Sequence, residues 1–318
     1  MNILFVERKG MELRYERACL LIYDQGKRIN SVALRDIERI VVSPDVTLSS
    51  GVLGLIAEKD VALIVVNARY PDRTATLSGV ISGDINRRLK QYQCHQNMNV
   101  RCYWAQQLIV QKIRGHLHLL TQMKYQRSDL RFVLMKAIRS LKTIEEGLLN
   151  YQEDTLETLR GKEGAAGAIF FKAYIGLFSS QLNFTGRNRR PPKDPVNVCL
   201  SLAYTLVYQE TLSVIKTVGL DPALGCLHAP TYHRSSLACD LMEPIRPLVD
   251  AWVYQLFQSN TLTIDHFTQT DRSILGRAGK KAFYTEYHQK GPALRKLLRR
   301  YAQIAVKAIE TGEHDATY

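Results

Sequence analysis

Val61-Ala62-Leu63-Ile64-Val65-Val66 is the last run of its kind before the pattern changes. It is apolar, largely β-branched and six residues long, which reads as a buried strand. Pro71-Asp72-Arg73, Gly79 and Gly83 punctuate the segment after it. Upstream, the same texture recurs in Ile3 to Val6, in the alternating Glu12-Leu13-Arg14-Tyr15, in Cys19-Leu20-Leu21-Ile22-Tyr23, and in Ser31-Val32-Ala33-Leu34, Ile37 and Ile40-Val41-Val42. Ser49 to Glu58 reads as the one helix among them. Downstream of Gly83, long segments with a 3.6-residue period take over. Helices are expected over Asn86 to Met123 (one or two), Leu130 to Leu149, Thr155 to Ser180, Asp194 to Thr217, Leu237 to Ser259, Gly276 to His288 and Pro292 to Glu310. Asp194-Pro195 supplies a capping acid followed by a proline for the first turn. The expected architecture is α+β and multidomain: a small β-rich N-terminal domain over 1–85, then a larger all-α C-terminal domain over 86–318.

The chain has 318 residues, 46% hydrophobic and 23% charged, an ordinary balance for a globular protein with a large core. No apolar run approaches the twenty or so residues of a membrane span, so no membrane partner is expected. Met1-Asn2-Ile3-Leu4-Phe5-Val6-Glu7-Arg8 lacks the basic leader of a signal peptide, and the expected location is cytoplasmic. The six cysteines form no C-x-x-C pair, which argues against a structural zinc site and for reduced thiols. The net charge of +13 favours a polyanionic partner, nucleic acid before an anionic membrane.

Glu163 lies among Gly161, Gly164, Ala165, Ala166, Gly167 and Ala168. Glycines are unfavourable inside a helix, so something approaches this backbone closely: a neighbouring helix or a nucleic-acid strand. By itself Glu163 also reads as a solvated charge. Asp240 and Glu243, three apart, share a helical face within apolar company. Two adjacent acids repel unless a cation neutralises them; Arg246 or a metal can do so. His228 follows an apolar approach and by itself reads as a core histidine, but the span to Glu243 allows return to a common point. His233 competes with it. His116 and His118, at i and i+2, do not share a helical face and are discounted. Oxygen donors with one imidazole suit Mg2+ or Mn2+ better than zinc, and such a cation can neutralise charge on a phosphodiester under attack.

Two basic segments frame these residues. Gly186 to Lys193 holds Arg187, Arg189, Arg190 and Lys193 on a Gly/Pro loop just before a helix, well placed for phosphate. Residues 271 to 300 hold nine Lys or Arg against two acids, including Arg277, Lys280 and Lys281, with Phe283, Tyr284 and Tyr287 interleaved. Those aromatics read either as base-stacking platforms or as core.

Leu159-Arg160-Gly161-Lys162-Glu163-Gly164-Ala165-Ala166, Gly186-Arg187, Pro192-Lys193-Asp194-Pro195-Val196-Asn197, Gly225-Cys226-Leu227-His228 and Ser236 to Pro247, in that order, resemble the CRISPR-associated adaptation integrases, the Cas1 family. The resemblance covers essentially the whole chain. It implies a metal-dependent DNA endonuclease and integrase, which inserts short foreign DNA as new spacers into a repeat array by 3′-hydroxyl transesterification. On that pattern Glu163, His228 and Glu243 hold Mg2+ or Mn2+ and Asp240 stands beside them as a further catalytic residue. The expected nucleic-acid contacts are Arg187, Arg189, Arg190, Lys193, Asn197, Arg246, Arg277, Lys280 and Lys281. The resemblance further implies a homodimer formed through the β domain, a small ferredoxin-like partner, Cas2, and two DNA substrates, a protospacer duplex and the CRISPR repeat. Two other readings remain open on the residues: a general structure-selective nuclease acting on branched DNA, and a non-catalytic DNA-binding scaffold.

Overall fold

The computed structural model describes residues 2–59, 61–66, 74–77, 85–150, 155–188, 191–231, 235–269 and 273–311. The chain divides into two compact units, Met1–Ser82 and Gly83–Tyr318.

The first unit carries β1 (Asn2–Val6), β2 (Met11–Glu16), β3 (Cys19–Asp24), β4 (Lys27–Ala33), β5 (Ile37–Val42), β6 (Thr47–Leu48), α1 (Ser50–Glu58), β7 (Ala62–Val65) and β8 (Ala75–Leu77). They form two four-stranded sheets, ordered β1-β5-β7-β8 and β4-β3-β2-β6. In the first sheet β5 pairs parallel with β1 and with β7, Ile40 facing Leu4 and Leu63. Such a strand is covered on both faces, which is why Ile40, Val41 and Val42 are all buried rather than alternating. The second sheet is built from two hairpins. Arg17-Ala18 and Gln25-Gly26 each take positive φ at both positions, the backbone twist that suits a two-residue turn between antiparallel strands. Along β2 only Leu13 faces inward; Arg14 and Tyr15 are exposed. Leu13 and Leu20 meet Ile40, Val42 and, from α1, Val52 and Ile56 in one core. Burying side chains of this size stabilises by about 1.5–3 kcal/mol each. Ser49 caps α1 by accepting from the Val52 amide at 3.4 Å.

The second unit carries α2 (Ile85–Gln96), α3 (Met98–Gln126), α4 (Arg131–Asn150), α5 (Leu156–Ile175), α6 (Pro195–Thr217), α7 (Ser236–Met242), α8 (Arg246–Gln258), the hairpin β9 (Phe267–Gln269) and β10 (Ser273–Leu275), and α9 (Arg277–Thr311). Asn97 separates α2 from α3, its side chain accepting from the Asn99 and Val100 amides. α3 runs beside α4, α5, α8 and the 3-10 turn Glu243–Ile245. Gly115 permits the approach of α3 to α8: a Cβ there would lie 2.7 Å from Pro247 Cγ. Among the described helices, α6 alone is long and apolar enough to cross a bilayer, and over half of that stretch is buried within the protein.

Two expectations need correction. Leu237 to Ser259 is not one helix. Pro244 and Pro247 lack the amide that continues an α-helix, and the chain passes from α7 through the 3-10 turn into α8. Conversely, Pro292 does not separate two helices; it lies inside α9. Gly279, Phe283, Tyr287, Gly291, Arg295, Leu298 and Ala302 form a buried stripe that runs straight past it. Continuous packing along that stripe offsets the roughly 3 kcal/mol that an internal proline costs. The stripe also decides the aromatics: Phe283, Tyr284 and Tyr287 are core residues and are not available to stack on bases. The β9–β10 hairpin is not anticipated from the sequence, because three-residue strands carry too little periodicity to detect.

Candidate active site

Glu163 projects from the second turn of α5, which Thr155 caps by accepting from the Thr158 amide at 3.2 Å. Glu243 opens the 3-10 turn after α7, and Asp240 lies in the last turn of α7. His228 sits on the loop between α6 and α7, half-buried. Although three apart in sequence, the two acids lie on different elements, the last turn of α7 and the 3-10 turn after it, and His228 stands against both.

Asp240 is fully buried. One carboxylate oxygen accepts from the Cys226 amide and from the Leu227 amide at 3.0 Å; the other accepts from the His228 amide at 3.0 Å and meets His228 Nδ1 at 2.7 Å. One side chain thus holds three consecutive backbone amides and the imidazole. Gly225 allows it to come so close, since a Cβ there would lie 2.8 Å from the Ser236 carbonyl carbon and 2.9 Å from Asp240 Cγ. Arg160, on α5, donates from Nε to the Leu227 carbonyl at 2.7 Å and ties the same loop to the helix of Glu163. With a carboxylate on Nδ1, the proton of a neutral His228 sits there and the Nε2 lone pair is free. Nε2 stands 3.9 Å from Glu243 Oε1.

Glu243 is buried at 2% exposure and gathers two cations. Arg246 Nε donates to Oε1 at 2.8 Å, and Lys112 Nζ donates to Oε2 at 2.6 Å. Burial pushes this carboxyl up, but Arg246 and Lys112 together overcome it and hold the group well below the usual carboxylate range. The same Lys112 ammonium also bonds Glu163 Oε1. Glu163 and Glu243 therefore converge on one positive charge, with the imidazole at its edge. Among the described residues no three His, Cys, Asp or Glu side chains close into a coordination shell; between the two glutamates the ammonium does the bridging.

Lys112 is not among the residues that motif and spacing single out. Its signal is a spacing of four along α3: Trp104, Leu108, Lys112, His116 and Leu120 occupy one buried stripe. A cation and an imidazole on an apolar face need partners inside the fold. His116 finds Asp250 Oδ2, 3.2 Å from Nε2, and stacks on Phe170 with ring centroids 3.7 Å apart. Asp250 accepts from the Tyr204 hydroxyl, and the Tyr204 ring lies 4.9 Å below the Arg246 guanidinium. A polar chain thus runs from Glu243 through Arg246, Tyr204 and Asp250 to His116.

Burial depresses the His116 pKa below the ordinary imidazole value, outweighing the upward pull of the Asp250 hydrogen bond. Below the unfolded value of about 6.5, the unfolded chain therefore binds a proton that the folded chain refuses. The stability contributed is full above that value and is lost as the pH falls from it toward the folded-state pKa. The melting temperature is expected to drop between pH 7 and 5. His116→Gln, which keeps a donor for Asp250 without the titration, should flatten that drop by up to about 1.4 kcal/mol per pH unit. Parallel pH profiles for the two proteins would contradict this.

The expected nucleic-acid contacts divide. Lys193, Arg277 and Lys281 are exposed and Lys280 is half-buried. Arg189 and Arg190, like His233, lie outside the described residues. Arg187 is held by Asn197 Oδ1 at 2.8 Å, the Ser201 hydroxyl at 3.2 Å and the Asn188 carbonyl. Asn197 is fully buried. Its amide nitrogen donates to the Gly186 carbonyl at 2.7 Å and Asp194 Oδ2 at 2.6 Å, while its oxygen accepts from Arg187 and from the Asn188 amide. That side chain is spent on shaping the loop, with both its amide nitrogen and its oxygen bonded inside it. Arg246 is committed to Glu243 and the Tyr204 ring. On α5, an added Cβ at Gly161, Gly164 or Gly167 would meet no atom within 4 Å, so no described helix packs on that face.

A family model described as CRISPR associated protein Cas1 matches residues 4–289. A curated relative, the CRISPR-associated endonuclease Cas1 1 of Thermodesulfovibrio yellowstonii, is 33% identical over 298 residues, covering 91% of this chain and 91% of its own. The structure of a casposase bound to integration product superposes with a TM-score of 0.83 at 19% identity, over 98% of this chain and 92% of that one. A chain of a Cas6-RT-Cas1–Cas2 complex does so at 0.84 and 21% identity, over 99% of this chain and 35% of that one. At such identities the superpositions speak for the fold alone, and the β-rich part followed by a mostly helical part is the one expected from the sequence. A family match running from the first strand into the last helix, joined to a relative that aligns along nearly the whole length, places the chain in the CRISPR-associated Cas1 family.

Proposed function

We propose that the chain is a divalent-metal-dependent DNA endonuclease and integrase of CRISPR adaptation, joining short foreign DNA to a repeat array. One observation carries the reading: Glu163 on α5 and Glu243 on the 3-10 turn are brought onto a single cation, with His228 Nε2 3.9 Å from Glu243 Oε1. The Lys112 ammonium is a stand-in that tests the donor set. Two carboxylates arranged to neutralise positive charge, beside an imidazole whose Nδ1 is held by Asp240, fit a hard cation such as Mg2+ or Mn2+. Glu163, His228 and Glu243 would hold it, and it would supply charge neutralisation at a phosphodiester under attack.

The rest falls to the chain itself. Asp240 fixes the imidazole orientation through Nδ1 and locks the His228 loop, acting through that histidine rather than on substrate. Arg246 keeps Glu243 ionised. The bare face of α5 at Gly161 and Gly164 leaves room for a DNA strand beside Glu163. Exposed Lys193, Arg277 and Lys281 attract phosphates without reading sequence. In strand transfer a 3′-hydroxyl of the donor loses its proton and forms a P–O bond with an array phosphodiester. The bond to the departing 3′-oxygen breaks, and that oxygen gains a proton. One phosphodiester replaces another, so positioning and electrostatics suffice without a nucleotide energy source. A cytoplasmic setting, a homodimer formed through residues 1–85, catalysis by residues 86–318 and a Cas2-type partner complete the proposal; family membership and the name of the Cas6-RT-Cas1–Cas2 complex support them.

The test is a joining assay with a labelled donor duplex, a repeat-containing target and Mn2+ or Mg2+. Joined products are expected with a 3′-hydroxyl donor and not with a 3′-deoxy donor. Cut but unjoined target would favour a structure-selective nuclease instead. DNA affinity should fall by about three to five orders of magnitude between 50 and 200 mM salt if roughly six to ten phosphates are neutralised. A flat salt response would exclude DNA as the substrate.

A further inference from the structure

Lys112 lies at the centre of the site and has no task in the strand-transfer chemistry. It reaches from the middle of α3 to carboxylates on two other elements, and its side chain is 9% exposed. A buried ammonium is unfavourable unless paired, and two facing carboxylates are unfavourable unless a cation lies between them. Each solves the other's problem. With Lys112 and Arg246 set against Glu163 and Glu243, two positive charges meet two negative ones, and the cluster is neutral as it stands. A divalent ion between the same carboxylates adds two positive charges within range of the ammonium. The ammonium cannot become a ligand, because it carries three donors and no acceptor. Its bonds to the carboxylates and the ion's bonds to them therefore compete for the same oxygens.

We infer that Lys112 is the resident cation of the carboxylate pair: it holds Glu163 and Glu243 aligned when no metal is present, and it must release at least one of them when a divalent ion is taken up. The inference rests on the reading that Glu163, His228 and Glu243 hold that ion. Lys112 then sets metal affinity and turns loading into a side-chain switch. Glu163 is the partner it leaves more easily, because that carboxylate is 29% exposed against 3% for Glu243, and water can take over its hydrogen bond. The lysine stem has the rotatable bonds needed to swing.

Lys112→Met keeps the stem and removes the charge. Titrating the full chain with Mn2+, followed by the electron paramagnetic resonance of the free ion, should show binding tighter by about tenfold or more, because a like charge has gone from the site. The metal-free variant should melt lower than the wild type, and added Mn2+ should raise its melting temperature by more. Unchanged or weaker Mn2+ binding overturns the inference. A second measurement needs no variant: in wild-type crystals soaked with MnCl2, the ammonium should have left at least one carboxylate. Both bonds intact beside a bound Mn2+ overturns the inference as well, and this decides the matter if the methionine variant does not fold. His228→Ala separates the two readings. If it binds Mn2+ as the wild type does, the metal-site reading fails and takes the inference with it. If it loses Mn2+ while Lys112→Met gains none, only the inference fails.

Discussion

Glu243→Gln is expected to reduce strand transfer by at least about a thousandfold while leaving DNA affinity within a few-fold of the wild type. The substitution preserves volume and removes one charge. That charge is strongly favoured in the fold, since Arg246 and Lys112 hold the carboxyl far below its usual pKa despite burial. An amide at this position leaves Arg246 without its carboxylate and Lys112 with Glu163 alone, and it offers a divalent ion a much weaker donor. The transition state of a phosphodiester exchange concentrates negative charge where this carboxylate would anchor the compensating cation. DNA affinity should persist because exposed cations such as Lys193, Arg277 and Lys281 are untouched. Single-turnover joining and filter binding at the same salt read the two effects separately. Leaving a buried charge without its partner typically costs about 3–5 kcal/mol, so circular dichroism must show that the variant is folded. A folded variant that joins DNA within tenfold of the wild-type rate would remove Glu243 from the site.

Asp240→Asn is expected to weaken Mn2+ binding by about 10–100-fold although its carboxylate bonds the 226–228 loop and His228 rather than Glu243. The wild-type carboxylate accepts four bonds, three from the amides of residues 226–228 and one from His228 Nδ1. An asparagine supplies one oxygen and one NH2 group, so whichever way it turns a donor faces a donor. Each buried donor left unpaired costs about 1–3 kcal/mol. The loop would loosen and the imidazole would lose the bond that sets its tautomer, so Nε2 would no longer be held ready. Mn2+ titration with a thermal melt distinguishes this from general unfolding: the effect should appear in metal affinity at temperatures where the variant is still fully folded. Wild-type affinity in the variant would show that the His228 loop positions itself without Asp240.

Much of the first unit is legible one strand at a time. Strand periodicity depends on neighbours two residues apart, and a two-residue turn depends on a pair such as Gln25-Gly26. What those patterns do not contain is strand order, because β1 meets β5 and β7 through partners distant in sequence. The helical unit shows the same division. Its helices are legible from 3.6-residue periodicity, but the two proline effects go opposite ways. Pro244 and Pro247 lie at a change of direction and end a helix; Pro292 lies on a helix whose buried stripe continues on both sides. A local rule cannot separate these cases, since the deciding energy is packing against other helices.

In the site, residue type and spacing single out Glu163, His228, Asp240 and Glu243 as chemistry-bearing groups, because carboxylates and imidazoles in apolar company need partners. Residue type could not tell which partner each would find. Asp240 went to backbone amides and an imidazole, while Glu243 went to Lys112, which lies 131 residues away along the chain. The aromatics of α9, which on paper read either as stacking platforms or as core, are buried, and so is Asn197. By itself the sequence determined the order of strands and then helices, the positive charge, and which residue types were on hand for phosphate chemistry, since all of these are set by local pattern and composition. Only the tertiary structure decided that an ammonium stands between two glutamates, because a buried charge is settled by whatever opposite charge the packing of α3, α5 and the 3-10 turn brings within reach, and that choice is written in no single segment.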